Sequence, residues 1–466
     1  MIFNSWVFGV FFFVVYLMYL RTGHRAQNIL LLAASYFFYG FWDYRFLALL
    51  LISTIVDYMV GRWLEKVNDM KARRKIIGLS IMANLGILAY FKYCDFFIQS
   101  FADFSHVVGI NVSVHTLGII LPVGISFYTF QTLSYTIDVY RKETKACRKF
   151  FDFALFVSFF PQLVAGPIER AGHLLRQIES PRILTFEKIQ SGLWLILKGY
   201  FIKVFVADNL ARMVDPVFSS TDPTGAQALL AIYAFAFQIY GDFSGYSNIA
   251  RGLSHLMGFD LMVNFRAPYL ATNPRDFWKR WHISLSTWLR DYLYISLGGN
   301  RKGKKRTYWN LLVTMLLGGL WHGASGKYVL WGLYQGILLI VHRWASKFIG
   351  PIQFSVPRLF RTIFFFHLTC FGWLIFRCNS TDQIGGFITK ILTSFHWTID
   401  MTHQSIAFLV LVSPLVFLDL IEEYVCGPDR FPRWNFAIRY ATYAAMMLLI
   451  YVLGSRGGIQ FIYFQF

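Results

Sequence analysis

Two histidines lie where a titratable side chain could perform chemistry. His322 follows Trp321 in residues 311–325, a stretch that contains no other ionisable residue. Because hydrocarbon penalises polar side chains, an ionisable residue in such a stretch is by default a functional candidate. An imidazole with a pKa of about 6.5 can accept and return a proton at neutral pH. The alternative for His322 is structural, a histidine hydrogen-bonded to a neighbouring helix.

His282 lies in residues 238–294, where charged, amide and aromatic side chains are mixed. Large apolar residues recur there at spacings of three and four: Trp278, Trp281, Leu285, Trp288 and Tyr292. This spacing predicts an amphipathic helix on the cytoplasmic membrane surface, with His282 and Ser286 on one face. The alternative for His282 is a position among lipid headgroups.

The sequence lacks the motifs of several other chemistries. There is no Gly-x-Ser-x-Gly, P-loop or His-Glu-x-x-His pattern, so hydrolase, ATPase and zinc-protease interpretations have no support. The five cysteines include no Cys-x-x-Cys pair, so neither a disulfide framework nor a metal site is predicted.

These residues must be held by a membrane fold. The 466 residues are 56% hydrophobic and only 15% charged, whereas soluble domains are roughly a quarter charged. The sequence therefore predicts an all-α polytopic membrane protein, a single domain over residues 1–466 with about ten to twelve membrane-spanning helices. The apolar windows are 5–20, 27–41, 45–61, 76–99, 116–139, 189–207, 226–247, 308–325, 327–345, 361–377, 404–426 and 437–455.

Residues 151–164 are apolar but too short and too interrupted for a plain span, since Pro161, Gly166 and Pro167 follow closely. They predict a re-entrant or in-plane segment. Asp57 and Asp138 lie in or at the end of predicted spans, where pairing with Arg or Tyr is expected.

The formal charge of +19 comes from basic runs between apolar windows, around residues 62–75, 141–149 and 301–306. A nucleic-acid binder can be equally basic, but this placement follows the positive-inside rule and suits anionic lipids. Because the first apolar run precedes Arg21, we expect a retained span with its amino end outside the cytoplasm. Nucleic acid is therefore not an expected partner, and an anionic cofactor dock is the alternative use of these charges.

Six segments, in order along nearly the whole chain, carry a family resemblance. They are FQTLSYTIDVYR (130–141), FPQLVAGPI (160–168), YGDFSGYS (240–247), DFWKRWHISLSTWLRDY (276–292), LWHG (320–323) and FIYFQF (461–466). With these segments the chain resembles the membrane-bound O-acyltransferase (MBOAT) family, in particular its bacterial branch of alginate and peptidoglycan O-acetylation subunits.

The resemblance implies helices around a membrane tunnel, with His322 as the catalytic histidine and His282 as the second functional histidine. It implies a protein of the bacterial cytoplasmic (inner) membrane that takes acetyl from acetyl-CoA, a co-substrate rather than a bound cofactor. An extracytoplasmic O-acetyltransferase partner would then acetylate a polysaccharide. Lys279 and Arg280 are candidates for binding the CoA phosphates, although lipid headgroups explain the same charges.

Tyr463 could relay acetyl or dock the partner, but an interfacial aromatic anchor is the simpler interpretation. Two other functions stay open at this point. One is D-alanyl transfer from a carrier protein to teichoic acid, the activity of related enzymes in the same family. The other is a transporter without covalent chemistry, because transporters also place polar residues and broken helices at the membrane midplane.

Overall fold

The computed structural model describes residues 1–163, 166–349, 356–427, 434–455 and 461–462. These residues form helices and connecting segments, with no strand among them. Their contacts divide the chain into two compact units: residues 1–185, 254–262 and 323–325, and residues 186–253, 263–322 and 326–466. The fold is all-α, as predicted, while the single domain stays a prediction.

The first unit contains nine complete helices among its described residues. They are α1 (Trp6–Leu20), α2 (His24–Asp43), α3 (Leu47–Lys66), α4 (Met70–Leu88), α5 (Cys94–Val107), α6 (Ile125–Arg141), α7 (Phe150–Ser158), α8 (Phe160–Leu163) and α9 (Arg176–Glu179). Short side chains cap two of the starts: Ser5 accepts from the Phe8 amide, and Asp69 accepts from the Ala72 amide at 2.8 Å. Such caps satisfy amides that the first helical turn leaves without a partner.

The second unit contains both histidines: His322 ends one of its helices and His282 directly precedes another. Its described helices are α10 (Phe186–Tyr200), α11 (Asp208–Ser219), α12 (Gly225–Leu256, whose last three residues belong to the first unit), α13 (Pro274–Phe277), α14 (Ile283–Trp288), α15 (Gly303–His322), α16 (Gly326–Ile349), α17 (Arg358–Arg377), α18 (Thr381–Thr393), α19 (Ile399–Ile421) and α20 (Phe436–Leu453). Wider π-helical turns follow three of them, at Phe201–Ala207, Leu289–Tyr294 and Glu422–Cys426.

Six helical segments of the described chain are long and apolar enough to cross a membrane: His24–Lys66, Met70–Val107, Phe186–Ser219, Arg358–Arg377, Ile399–Cys426 and Phe436–Leu453. The first of these has 43 residues, about 65 Å at 1.5 Å per residue, which is twice the hydrocarbon thickness. It therefore contains two helices, α2 and α3, separated by the 3₁₀ turn Tyr44–Phe46. The protein is a multi-pass membrane protein, and the number of crossings stays a prediction.

Two predicted helices differ from the structure. The window 116–139 is helical only from Ile125, because Pro122 lacks an amide proton and Gly124 is left-handed at φ +76°. The stripe from Trp278 to Tyr292 does not lie on one continuous helix. The chain turns between α13 and α14, where His282 is left-handed at φ +41°, and a β-carbon makes that conformation costly in a helix.

In the segment predicted as re-entrant or in-plane, the described residues fold as two short helices, α7 and α8, whose residues are almost all buried. Asp57 is also fully buried, but its hydrogen-bond partners are Ser80 and Asn84 rather than the predicted Arg or Tyr. Ser80 and Asn84 lie on the face of α4 that packs against α3. Their short polar side chains therefore bond directly to the Asp57 carboxylate.

Candidate active site

His322 is the last residue of α15, and its position depends on close packing between α15 and α16. A side chain at Gly319 would collide with the carbonyl oxygen of Tyr328, and one at Gly332 would collide with that of Met315. Glycine therefore lets the two backbones touch, as small residues do between membrane helices. This contact fixes the position of the end of α15, and therefore the position of the His322 backbone.

Aromatic rings surround the imidazole of His322, which is only 5% exposed. Its ring centroid lies 5.1 Å from that of Trp331 and 5.5 Å from that of Phe376, both edge to face. Trp373 stacks beside Trp331 at 6.1 Å. These rings separate the imidazole from bulk water and from lipid.

His282 is fully buried and is the residue immediately before α14. Its ring meets Phe243 of α12 at 4.7 Å and Trp321 at 5.7 Å. The left-handed backbone at His282 directs the chain into α14, and histidine adopts this conformation more readily than most residues. The broken helix thus brings an imidazole inward that a surface helix would have left in the headgroup region.

The structure brings the two predicted histidines together, with ring centroids 6.4 Å apart and an interplanar angle of 55°. His282 lies outside the six membrane-spanning segments. Burial lowers the pKa of His282 well below its ordinary value, and the nearby His322 acts in the same direction. His282 is therefore neutral at physiological pH, with one ring nitrogen able to accept a proton.

Asn264 is a positioning residue that sequence analysis did not single out. Its backbone carbonyl accepts from the Ile283 amide at 2.9 Å, and its side-chain oxygen accepts from the Ser284 hydroxyl at 2.7 Å. Its amide nitrogen donates to the Ser247 hydroxyl of α12 at 3.1 Å. Asn264 thus ties the start of α14, next to His282, to α12. The sequence signal for this role was an amide side chain placed between apolar residues.

The predicted anion-binding pair divides into two different environments. Lys279 is exposed. Arg280 is half-buried and forms a two-pronged ion pair with Glu423 at 2.8 and 2.9 Å, and it also contacts Asp276 at 2.9 Å. The guanidinium is therefore held by two carboxylates, and the role of both residues in CoA binding stays a prediction.

A buried ion cluster anchors the end of the described chain. Lys203 contacts Asp208 at 2.6 Å and Asp242 at 2.5 Å, and the other Asp242 oxygen accepts from the Ile462 amide at 2.6 Å. The sequence signal was a lysine inside the predicted window 189–207, which also contains Lys198, and a lone Asp inside the window 226–247.

Phe461, adjacent to that anchor, is fully buried. Its ring packs 5.7 Å from Phe243, the same ring that contacts His282. Phe461 thus lies one aromatic ring away from His282. Tyr463 lies outside the described residues.

The fold and this site define a class: a multi-pass membrane protein with a dry pair of histidines among aromatic rings. Residues 147–381, which include both histidines, match the model of MBOAT, the membrane-bound O-acyltransferase family. A probable alginate O-acetylase of Pseudomonas putida is 44% identical over 494 aligned positions, covering 100% of both chains. A peptidoglycan O-acetyltransferase of Helicobacter pylori is 36% identical, covering 76% of this chain and 71% of its own.

A teichoic acid D-alanyltransferase of Bacillus subtilis is more distant, at 28% identity over 54% of this chain and 68% of its own. Together these similarities show that the chain belongs to the membrane-bound O-acyltransferase family. It is an O-acyltransferase, as the resemblance of its sequence motifs predicted.

Proposed function

We propose that this protein takes an acetyl group from cytoplasmic acetyl-CoA and passes it across the membrane for O-acetylation of an extracytoplasmic polysaccharide. The acceptor class is alginate-like or peptidoglycan, because relatives with those printed activities align over most or all of the chain. The location is the bacterial inner membrane, where a cytoplasmic thioester and an extracytoplasmic glycan are separated by a single bilayer. An extracytoplasmic O-acetyltransferase is the partner that completes the transfer.

The observation that carries the proposal is the buried pair His282 and His322, 6.4 Å apart between ring centroids. In the proposed step the hydroxyl oxygen of a first acetyl acceptor attacks the thioester carbonyl while His322 takes the hydroxyl proton. The tetrahedral intermediate collapses, the carbon–sulfur bond breaks, and the proton returns to the departing CoA sulfur. The extracytoplasmic partner then moves the acetyl group from that acceptor to the polysaccharide. A positioned base of this kind contributes typically about 10²- to 10⁴-fold.

His282 assists in this proposal as a neutral neighbour of His322, able to donate one hydrogen bond to the developing oxyanion. The aromatic rings around the pair exclude water, which would otherwise hydrolyse the thioester. Lys279 and Arg280 are proposed to attract the CoA phosphates electrostatically, Lys279 as the exposed charge and Arg280 as the fixed one.

Membranes supplied with labelled acetyl-CoA test the proposal. We expect His322→Ala to lower acetyl transfer at least 100-fold at unchanged protein abundance. His367→Ala is the matched control, since His367 is an exposed histidine whose ring bonds to the Ile363 carbonyl of its own helix and packs against Tyr233 and Phe366. Normal transfer by His322→Ala would reject the catalytic assignment.

The choice of donor is tested in the same membranes. A D-alanyl carrier protein supplied in place of acetyl-CoA would support transfer if the distant teichoic acid relatives describe this chain better. We expect label from acetyl-CoA only. Membership in an enzyme family favours covalent transfer over the transporter alternative, and thioester consumption that depends on His322 distinguishes them.

A further inference from the structure

A cavity in the second unit has the shape and lining of a hydrocarbon site. It measures about 220 Å³ and lies between α10, α19 and α20. Its walls are almost entirely apolar; the side chains that the argument uses are Trp194, Pro414, Phe417, Thr442, Ala445 and Leu449.

The cavity is an elongated groove parallel to the helices. On α19 its lining residues are 414, 417, 418 and 421, with Glu422 in the π-helical turn that follows, and on α20 they are 442, 445, 446 and 449. Spacings of three and four place each set on one face of its helix. From Pro414 to Glu422 the groove extends about 12 Å, at 1.5 Å per residue.

Local sequence explains why the helices leave this space. Pro414 lies inside α19, where it removes one backbone hydrogen bond and bends the helix. Ala445 and Thr442 on α20 are short side chains that do not fill the gap. A groove between the two helices is the result.

The groove opens toward lipid. Phe417 is 58% exposed and Ala445 is also exposed, and both lie on segments that are long and apolar enough to span the membrane. An apolar cavity of this kind does not hold water stably. The component of the surrounding bilayer that matches the shape and the polarity of the groove is the acyl chain of a lipid.

One end of the groove is charged and aromatic. Glu422 at this end is paired with Lys198, and Trp434 also lines the cavity there. Arg439 lies one turn before Thr442 on α20, with its guanidinium over the rings of Tyr440 and Tyr443. Aromatic and basic side chains of this kind mark the headgroup level.

We propose that this groove binds one acyl chain of a membrane phospholipid, with the phosphate headgroup at the Arg439 end. The site is independent of acetyl transfer, and its test does not use that activity. A bound lipid would fill the gap made by Pro414 and stabilise the packing of α19 and α20 against α10.

Native mass spectrometry of the full-length protein after detergent exchange tests the site. We expect wild type and Ala444→Trp to retain one phospholipid per chain, and Ala445→Trp to lose it at least tenfold. Ala444 is a matched control because it is exposed on the same helix but does not line the groove. Equal retention in both variants, or only detergent bound to the wild type, would overturn the proposal.

A second pair of variants tests the same groove at another position, in case Ala445→Trp does not fold. Leu449→Trp should lose the lipid and Leu448→Trp should keep it, since Leu449 lines the groove and Leu448 is 61% exposed outside it. Added phosphatidylglycerol should raise the melting temperature of the Leu448 variant but not that of the Leu449 variant. An equal rise in both would contradict a site in this groove.

Discussion

Two buried polar regions of this protein solve the same problem in different ways. In the first unit the Asp57 carboxylate accepts from Ser80 at 2.6 Å and from Asn84 at 2.8 and 3.0 Å. Ser53 in turn donates to Asn84 at 2.6 Å. Hydroxyl and amide groups from neighbouring helices thus surround the one ionisable group and satisfy it.

In the second unit, aromatic rings pack around the titratable pair. His282 and His322 meet Phe243, Trp331 and Phe376 at centroid distances of 4.7 to 5.5 Å. A ring edge excludes water without taking a proton from an imidazole. The comparison teaches that hydroxyl and amide groups hold a buried carboxylate in place between helices, whereas aromatic rings keep a pair of imidazoles away from water.

The largest expected effect is on the histidine pair. His282→Ala and His322→Ala should each lower acetyl transfer more than 100-fold. The double variant should be no less active than the less active of the two single variants, because the pair acts as a unit. Initial rates with labelled acetyl-CoA measure this. Losses that multiply in the double variant would show two independent roles.

The Asp57 network should respond in stability rather than in rate. Asp57→Ala leaves the Ser80 and Asn84 donors buried without their acceptor, at a cost of about 1–3 kcal/mol in the free energy of unfolding. Thermal unfolding in detergent measures the loss, and transfer per folded molecule should stay at the wild-type level. Asp103→Ala, on an exposed face of α5, is the control that should unfold like wild type.

A smaller effect is expected at Asn264, which orients the start of α14 beside His282. Asn264→Leu removes the contacts with Ser284 and Ser247 and should lower kcat about tenfold, or about 1.4 kcal/mol, with KM unchanged. Asn264→Asp keeps the acceptor for Ser284 and should recover part of the rate. A rise in KM without a fall in kcat would argue against an orienting role.

The smallest effect concerns a histidine outside both regions. The pKa of His173 is raised by its 2.7 Å hydrogen bond to Glu169, with Asp260 adding in the same direction. Because the folded pKa is raised, this pair contributes stability that is complete below the ordinary pKa of 6.5 and is lost as pH rises through the folded value.

The melting temperature of wild type minus that of His173→Gln should therefore be largest near pH 6 and shrink toward pH 9. A difference that does not change with pH would mean that the His173 contact with Glu169 is not an ion pair.

Much of the fold could be predicted because hydropathy acts locally. The windows at 5–20, 361–377 and 437–455 correspond closely to α1, α17 and α20. The prediction was wrong for the continuous stripe from Trp278 to Tyr292. The chain is left-handed at His282, and the two residues that follow are held by Asn264, which lies outside the stripe. The periodicity of apolar residues indicates which side chains share a helix face only where the helix is continuous.

The candidate site was predicted in part for the same reason. His322 could be singled out because a lone imidazole in an apolar window is costly by itself. The proximity of His282 to His322, the pairing of Arg280 with Glu423 and the ion pair between Lys203 and Asp242 could not be predicted, because each joins segments that are separated along the chain.

Sequence by itself determined that this chain is a helical membrane protein and that its unusual histidines required an explanation, because the cost of placing polar groups in hydrocarbon depends on composition alone. Only the tertiary structure decided that the two imidazoles meet among aromatic rings and that α19 and α20 leave a groove. Packing depends on side chains from separate helices, and no local pattern records which of them will touch.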